Sequence, residues 1–209
     1  IEFTAERDTV WLAYFEPYSQ ERRLDFLGRC SASPWVQTEC IGTSLQGRDL
    51  DVLHIGNGSK HVWVQARQHP GESMAEWFME GFITRLLDAA DPVARALLDC
   101  ASFHLIPNLN PDGSALGHLR SNAAGVNLNR EWHAPTLERS PEVLHAQAAM
   151  RQIGADLFLD IHGDETLPYV FIDGSHMVPG YGARNLELQA AFLANLKRAS
   201  PDFQTEHGY

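Results

Sequence analysis

The chain predicts an α/β domain, a mostly parallel mixed sheet with helices on both faces. Three observations point to it. Strand-length runs such as HVWVQAR, ASFHLIP and DLFLDI recur along the chain. Between them lie stretches in which apolar residues return with helical period. Turn dipeptides, Asn57-Gly58 among them, separate the two kinds of segment. Strands alternating with helices argue for parallel strands joined by crossovers, with ligands bound at the strands' carboxyl ends.

Taken in order, the opening EFTAERDTVWLAYFEPYS has strand-like aromatic and β-branched content and stops at Pro17. A helix is predicted from Gln20 to about Arg29, with Gly28 near its end. After a turn at Ser33-Pro34, two strands are expected over Val36–Gly42 and Leu50–Ile55, separated by Gln46-Gly47 and free to pair antiparallel at one edge. The strand His61–Arg67 and the helix Ser73–Asp88 follow. Ser73 and Glu76 have the spacing of a capping box. A short helix fits Pro92–Asp99, and Ala101–Pro107 is an apolar strand. Asn110-Pro111-Asp112-Gly113 reads as a turn, and Ser114–Pro135 as loop. Ser140 as N-cap, Pro141 in the first turn and Gly154 beyond the end bound another helix. Two strands, Asp156–Ile161 and Tyr169–Ile172, and a helix from about Ala183 to Arg198 complete the set.

The 209 residues are enough for one full-sized core, and 44% of them are hydrophobic. No apolar run approaches the ~20 residues of a membrane span. A formal charge of −11 without a basic stripe argues against a nucleic-acid surface. Cys30, Cys40 and Cys100 form no CxxC pair, which fits free thiols in a reducing, cytoplasmic setting. Each reads as a small buried apolar residue.

The chemistry gathers at two places. His69 falls just past one predicted strand, and His162 just past another. Glu72 follows His69 across Pro70-Gly71, a tight turn able to fold the carboxylate back beside the imidazole. Two histidines and a carboxylate are a donor set of catalytic zinc, which lowers the pKa of a bound water and polarises a carbonyl. His104, within an apolar strand, reads as a core residue. HExxH, GxSxG, GxGxxG and phosphate-loop strings are absent. The second place is HLRSNAAGVNLNREW, where Arg120, Asn129 and Arg130 offer guanidinium and amide donors to a carboxylate.

HPGE, NPDG, the arginine of HLR, NLNREW and DIHGDE, in this order, resemble the zinc carboxypeptidases of the carboxypeptidase A superfamily, in their cytosolic and bacterial branch. The resemblance runs from about Tyr14 to Asp173. It implies that His69, Glu72 and His162 bind one zinc ion, that Asn129 and Arg130 hold the terminal carboxylate of a peptide or protein, and that Arg120 stabilises the oxyanion. The implied activity is hydrolysis of the C-terminal peptide bond. Asp160 and Asp164 flank His162, and either could orient it. Two alternatives stand beside this: a zinc-dependent deacylase of small N-acyl amino acids, similar to aspartoacylase, and a non-catalytic binder of peptide ends.

Two departures from the family pattern are visible. Asn127 stands where carboxypeptidase A has an aspartate that orients a zinc histidine; its amide oxygen can still accept that bond. The family's general-base glutamate and substrate-closing tyrosine lie on later segments than this chain, which ends at Tyr209, supplies. Glu165, Glu187 and Glu206 are not at a late-strand position. The expectation is therefore a catalytic domain over 19–209 that is part of a longer protein, with 1–18 the last strand and linker of a preceding β-rich domain.

Overall fold

The structure, a computed structural model, describes residues 2–10 and 12–209. It divides into two compact units, Ile1–Gly163 and Asp164–Tyr209. The first unit carries the sheet. Its strands are β1 (Val36–Thr43), β2 (Asp49–Ile55), β3 (Lys60–Ala66), β4 (Ala101–Ile106) and β5 (Leu157–Ile161), in the order β1-β2-β4-β3-β5. β3 pairs parallel with β4 and with β5. β2 pairs antiparallel with both β1 and β4, so the early strands form the antiparallel edge that their close spacing allowed.

Strand alternation builds two cores. Val64 and Ala66 of β3, with Leu53, Ile55, Phe103 and Leu105, face α1 (Gln20–Ser31) and α2 (Met74–Leu86) through Phe26, Leu27, Met79 and Ile83. Trp63, one residue out of phase, turns to the other face, where Val143 and Ala146 of α5 (Pro141–Ile153) and Leu128 close over it. Its indole N–H donates to the Gly154 carbonyl at 2.9 Å, so the largest buried side chain carries no unmet donor. The helices α3 (Pro92–Cys100) and α4 (Pro111–Leu116) flank β4, and the short 3-10 turn Leu128–Arg130 precedes α5.

Several local expectations need correction. The opening segment shows no helix or strand among its described residues, and Trp11 lies outside them. Strand-like composition forms a strand only where a neighbour supplies a ladder. NPDG begins a helix instead of closing a turn: Asn110 caps it by accepting the Gly113 N–H at 3.0 Å, and Pro111 occupies its first turn. Ser73 and Glu76 make no capping box. The Ser73 hydroxyl donates to the Glu16 carbonyl at 2.7 Å, and Glu76 pairs with buried Arg67. Arg67 itself ends β3 with φ 53°, a left-handed conformation held by its bonds to the Tyr18 and Pro70 carbonyls. Of the three cysteines only Cys30 is buried; Cys40 and Cys100 are exposed, and all three are free.

The second unit holds α6 (Ala183–Ala199). The strand expected over residues 169–172 is reduced to a single bridge, Val170 to Phe203. Tyr169 stacks on His207, 4.4 Å between ring centroids, and Phe203 is the buried residue of this unit's apolar packing. No helix among the described residues is long and apolar enough to cross a membrane.

Candidate metal centre

The register of the parallel strands brings the sequence-distant donors to one rim. Ala66 pairs with Ile161, so His162 follows the end of β5 at the level where β3 has just ended. The turn His69-Pro70-Gly71-Glu72 then folds back, and the Glu72 N–H bonds the His69 carbonyl at 3.1 Å. Among the described residues, His69, Glu72 and His162 form the one group of three such side chains with ligand atoms all within 4.8 Å of one another. His69 and Glu72 are buried; His162 is about one-third exposed, which leaves one side open.

Glycine at position 71 is required by close approach. Its N–H donates to the Leu119 carbonyl at 2.8 Å, and a Cβ there would lie 2.7 Å from that same oxygen. This contact delivers the neighbouring Arg120, whose Nη1 sits 3.9 Å from Glu72 Oε1. NPDG serves the same assembly. Asn110 Nδ2 donates to the Gln68 carbonyl at 3.1 Å, and a Cβ on Gly113 would meet the Pro70 ring at 2.4 Å. The two motifs are therefore packed directly against each other.

The hydrogen bonds around the two imidazoles suit the site to a metal. His69 Nε2 lies 3.1 Å from Asn127 Oδ1, which also accepts the Asn129 N–H at 3.0 Å and so is the amide oxygen. His162 Nε2 lies 2.9 Å from Asp160 Oδ2. Both outer nitrogens must donate. A neutral imidazole has one N–H, so each Nδ1 is left with a lone pair, yet the two Nδ1 atoms face Glu72 oxygens at 2.7 and 2.9 Å. Lone pair opposes lone pair unless a proton or a cation lies between. Without a metal, Glu72 and His162 form an ion pair there. Burial works to raise the Glu72 carboxyl, but its bonds to His162 and His69 outweigh that and hold it at about 2. Burial also works against charge on His162, yet Asp160 and Glu72 lift it to about 10. A divalent cation there would be held by the two imidazole Nδ1 lone pairs and the Glu72 carboxylate, and that donor set fits zinc.

Asp160 and Asp164 have different partners. Asp160 lies in β5 two residues before His162, which directly follows the strand, and its Oδ2 meets the His162 ring at 2.9 Å. Asp164 instead accepts the Thr166 and Leu167 N–H groups at 2.7 and 2.6 Å, as a local turn residue. Asn129 is half-buried and Arg130 exposed, two and three residues beyond the Asn127 that touches His69; Arg130 Nη1 donates to the Asn129 carbonyl at 3.3 Å. Gln68 and Trp132 were not singled out from sequence. Gln68 Nε2 donates to Asp160 Oδ2 at 2.7 Å, and Trp132 Nε1 donates to Gln68 Oε1 at 2.5 Å. No sequence signal marks Gln68, and Trp132 closes NLNREW without a role that the string announces.

Fold and site together define an α/β protein with a metal-binding donor set at the carboxyl rim of its parallel strands. The zinc carboxypeptidase family model matches residues 30–198, and the chain belongs to that family, whose members bind one catalytic zinc ion. An uncharacterized protein of Zymomonas mobilis is 47% identical over 209 residues, all of this chain and 55% of that protein. Human cytosolic carboxypeptidase 4 is 29% identical over 198 residues, 83% of this chain and 18% of that protein. The structure of a metallo-carboxypeptidase from Pseudomonas aeruginosa in complex with (2-guanidinoethylmercapto)succinic acid superimposes with TM-score 0.90 at 48% identity, over 94% of this chain and 53% of that one. The chain thus spans about half the length of its bacterial relatives.

Proposed function

We propose that this chain carries the metal-binding site of a cytoplasmic zinc metallocarboxypeptidase that removes the last residue of a peptide or protein. The observation that carries the reading is the buried Glu72 carboxylate between two Nδ1 atoms whose outer nitrogens are already engaged. His69, Glu72 and His162 hold the ion. When bound, zinc supplies an acidified water and polarisation of the scissile carbonyl. Arg120, 3.9 Å from Glu72, stands beside that position and stabilises the negative charge that develops on the carbonyl oxygen. Asn129 and Arg130 grip the terminal carboxylate, so that only the last peptide bond reaches the metal. The Pseudomonas aeruginosa relative was solved with a succinic acid derivative, a ligand that presents carboxylates, which suits such a clamp. Its cytosolic relatives support the cytoplasmic setting. Neither the deacylase nor the binder alternative is favoured, since the family is one of carboxypeptidases.

The test uses zinc-loaded full-length protein and matched peptides with free or amidated C-termini. Arg130→Ala is expected to cut kcat/KM on the free acids by about 100-fold while changing the amides little, as for a lost charged hydrogen-bond partner. Equal losses on both would remove the clamp assignment. Wild-type protein that hydrolyses neither would remove the activity.

A further inference from the structure

Gln68 is fully buried and sits one residue before the proposed zinc ligand His69. Its side-chain amide is used at both ends. Nε2 donates to Asp160 Oδ2 at 2.7 Å, and Oε1 accepts from Trp132 Nε1 at 2.5 Å. The neighbours fix the orientation of this amide without ambiguity: an indole nitrogen only donates, and an ionised carboxylate only accepts. Asp160 Oδ2 in turn accepts from His162 Nε2 at 2.9 Å. An unbroken chain therefore runs from Trp132 through Gln68 and Asp160 to His162, and on to Glu72.

The other arm of the site returns to the same place. His69 Nε2 bonds Asn127 Oδ1, and that oxygen also accepts the backbone N–H of Asn129. Both histidines are thus oriented, one directly and one by relay, from the segment running from Asn127 to Trp132. Asn129 and Arg130, the proposed carboxylate clamp, lie between those two anchors. The anchors are themselves fixed: Asn127 caps the 3-10 turn, and the Trp132 carbonyl accepts from Gln147 of α5.

We propose that Gln68 is a positioning residue that ties the zinc ligand His162, through Asp160, to Trp132 of the clamp segment. The inference rests on the zinc reading given above. Position 68 needs one donor and one acceptor in a single flat group of this length. Glutamate would set a second negative charge against Asp160, and leucine would leave both Asp160 and the indole N–H without this partner. With the relay intact, Asp160 holds the His162 ring so that Nδ1 points at the ion. Without it, Asp160 is free to rotate and the ring follows.

The experiment measures zinc release to a chelator and the visible spectrum of the cobalt-substituted protein, on full-length enzyme. Gln68→Leu is expected to release zinc about 10-fold faster, the low end of the effect of outer partners on metal affinity, and to shift the cobalt bands. Trp132→Phe removes the donor while keeping an aromatic, though smaller, side chain, and should speed release about threefold. The double variant should be no faster than Gln68→Leu alone, because both changes break one chain. Folded Gln68→Leu with wild-type release and spectrum overturns the proposal, as does a double variant whose effects multiply. If Gln68→Leu does not fold, Trp132→Phe decides: faster release supports the relay and unchanged release overturns it. Wild-type protein that takes up no zinc overturns the metal reading and this inference together. Zinc uptake that His69→Ala abolishes and Gln68→Leu leaves unaltered overturns this inference alone.

Discussion

Two groups of histidines occupy the same sheet, and they satisfy opposite bond counts. At the carboxyl rim, His69 and His162 donate outward to Asn127 and Asp160 and turn Nδ1 toward Glu72. Around the start of β3, His54, His61 and His104 stand on adjacent strands, with His54 directly opposite His104. His54 Nε2 meets Glu39 at 3.0 Å, His54 Nδ1 meets His104 Nδ1 at 2.7 Å, and His104 Nε2 meets His61 Nδ1 at 3.0 Å. One N–H per ring fills all three bonds if each donates toward Glu39. His104 also lies 4.7 Å from the buried Trp63 ring, and burial together with its two histidine neighbours lowers its pKa to about 4. The first group demands a proton or a cation; the second is complete as neutral imidazoles. Crowding of histidines therefore does not define a metal site. What defines it is which ring nitrogen is already committed to an acceptor.

The largest expected effect separates the two groups directly. His69→Ala should reduce bound zinc from about one ion per chain to almost none, whereas His54→Ala should leave it unchanged; elemental analysis after dialysis reads both. Equal loss in the two variants would break the comparison. A smaller effect sharpens it. Asn127→Asp puts a carboxylate on the outer nitrogen of His69, makes the ring a stronger ligand, and should tighten zinc about 10-fold in chelator competition. Weaker binding would mean that the charge of that acceptor is not what tunes the ligand. The smallest concerns the second group. The pKa of His104 is depressed from 6.5 to about 4, so its contribution to stability is present above pH 6.5 and lost as pH falls through 4. His104→Gln should flatten that part of the stability profile by about 1–2 kcal/mol, below the full linkage value because the flanking rings are partly solvated. Denaturant unfolding at pH 7 and pH 4 measures it, and an unaltered slope would show that the chain of rings is not protonated on unfolding.

The convergence of His69, Glu72 and His162 and the mixed sheet were legible from strand ends and turns, whereas Arg120 stood out only through the resemblance. DLFLDIH announces a buried strand ending in an imidazole, and HPGE a turn between strand and helix. The acceptor role of Asn127 was legible too, through the resemblance. The choice between Asp160 and Asp164 was not. NPDG was misread because the N-cap and proline signature credited at Ser140-Pro141 was not applied at Asn110-Pro111. Gln68 belongs to no motif, and Trp132, although it closes NLNREW, has no role that the string announces. A buried glutamine becomes informative only when a carboxylate and an indole are seen at its two ends.

Residue chemistry, strand and helix periods and most turns were settled by the sequence alone, since these depend on neighbours within a few positions along the chain. The tertiary structure decided the register of β3 against β5, the approach of Leu119 to Gly71, and which nitrogen of each imidazole faces inward. Those depend on ladders and packing between segments far apart in the chain, where a shift of one residue would turn every side chain to the opposite face.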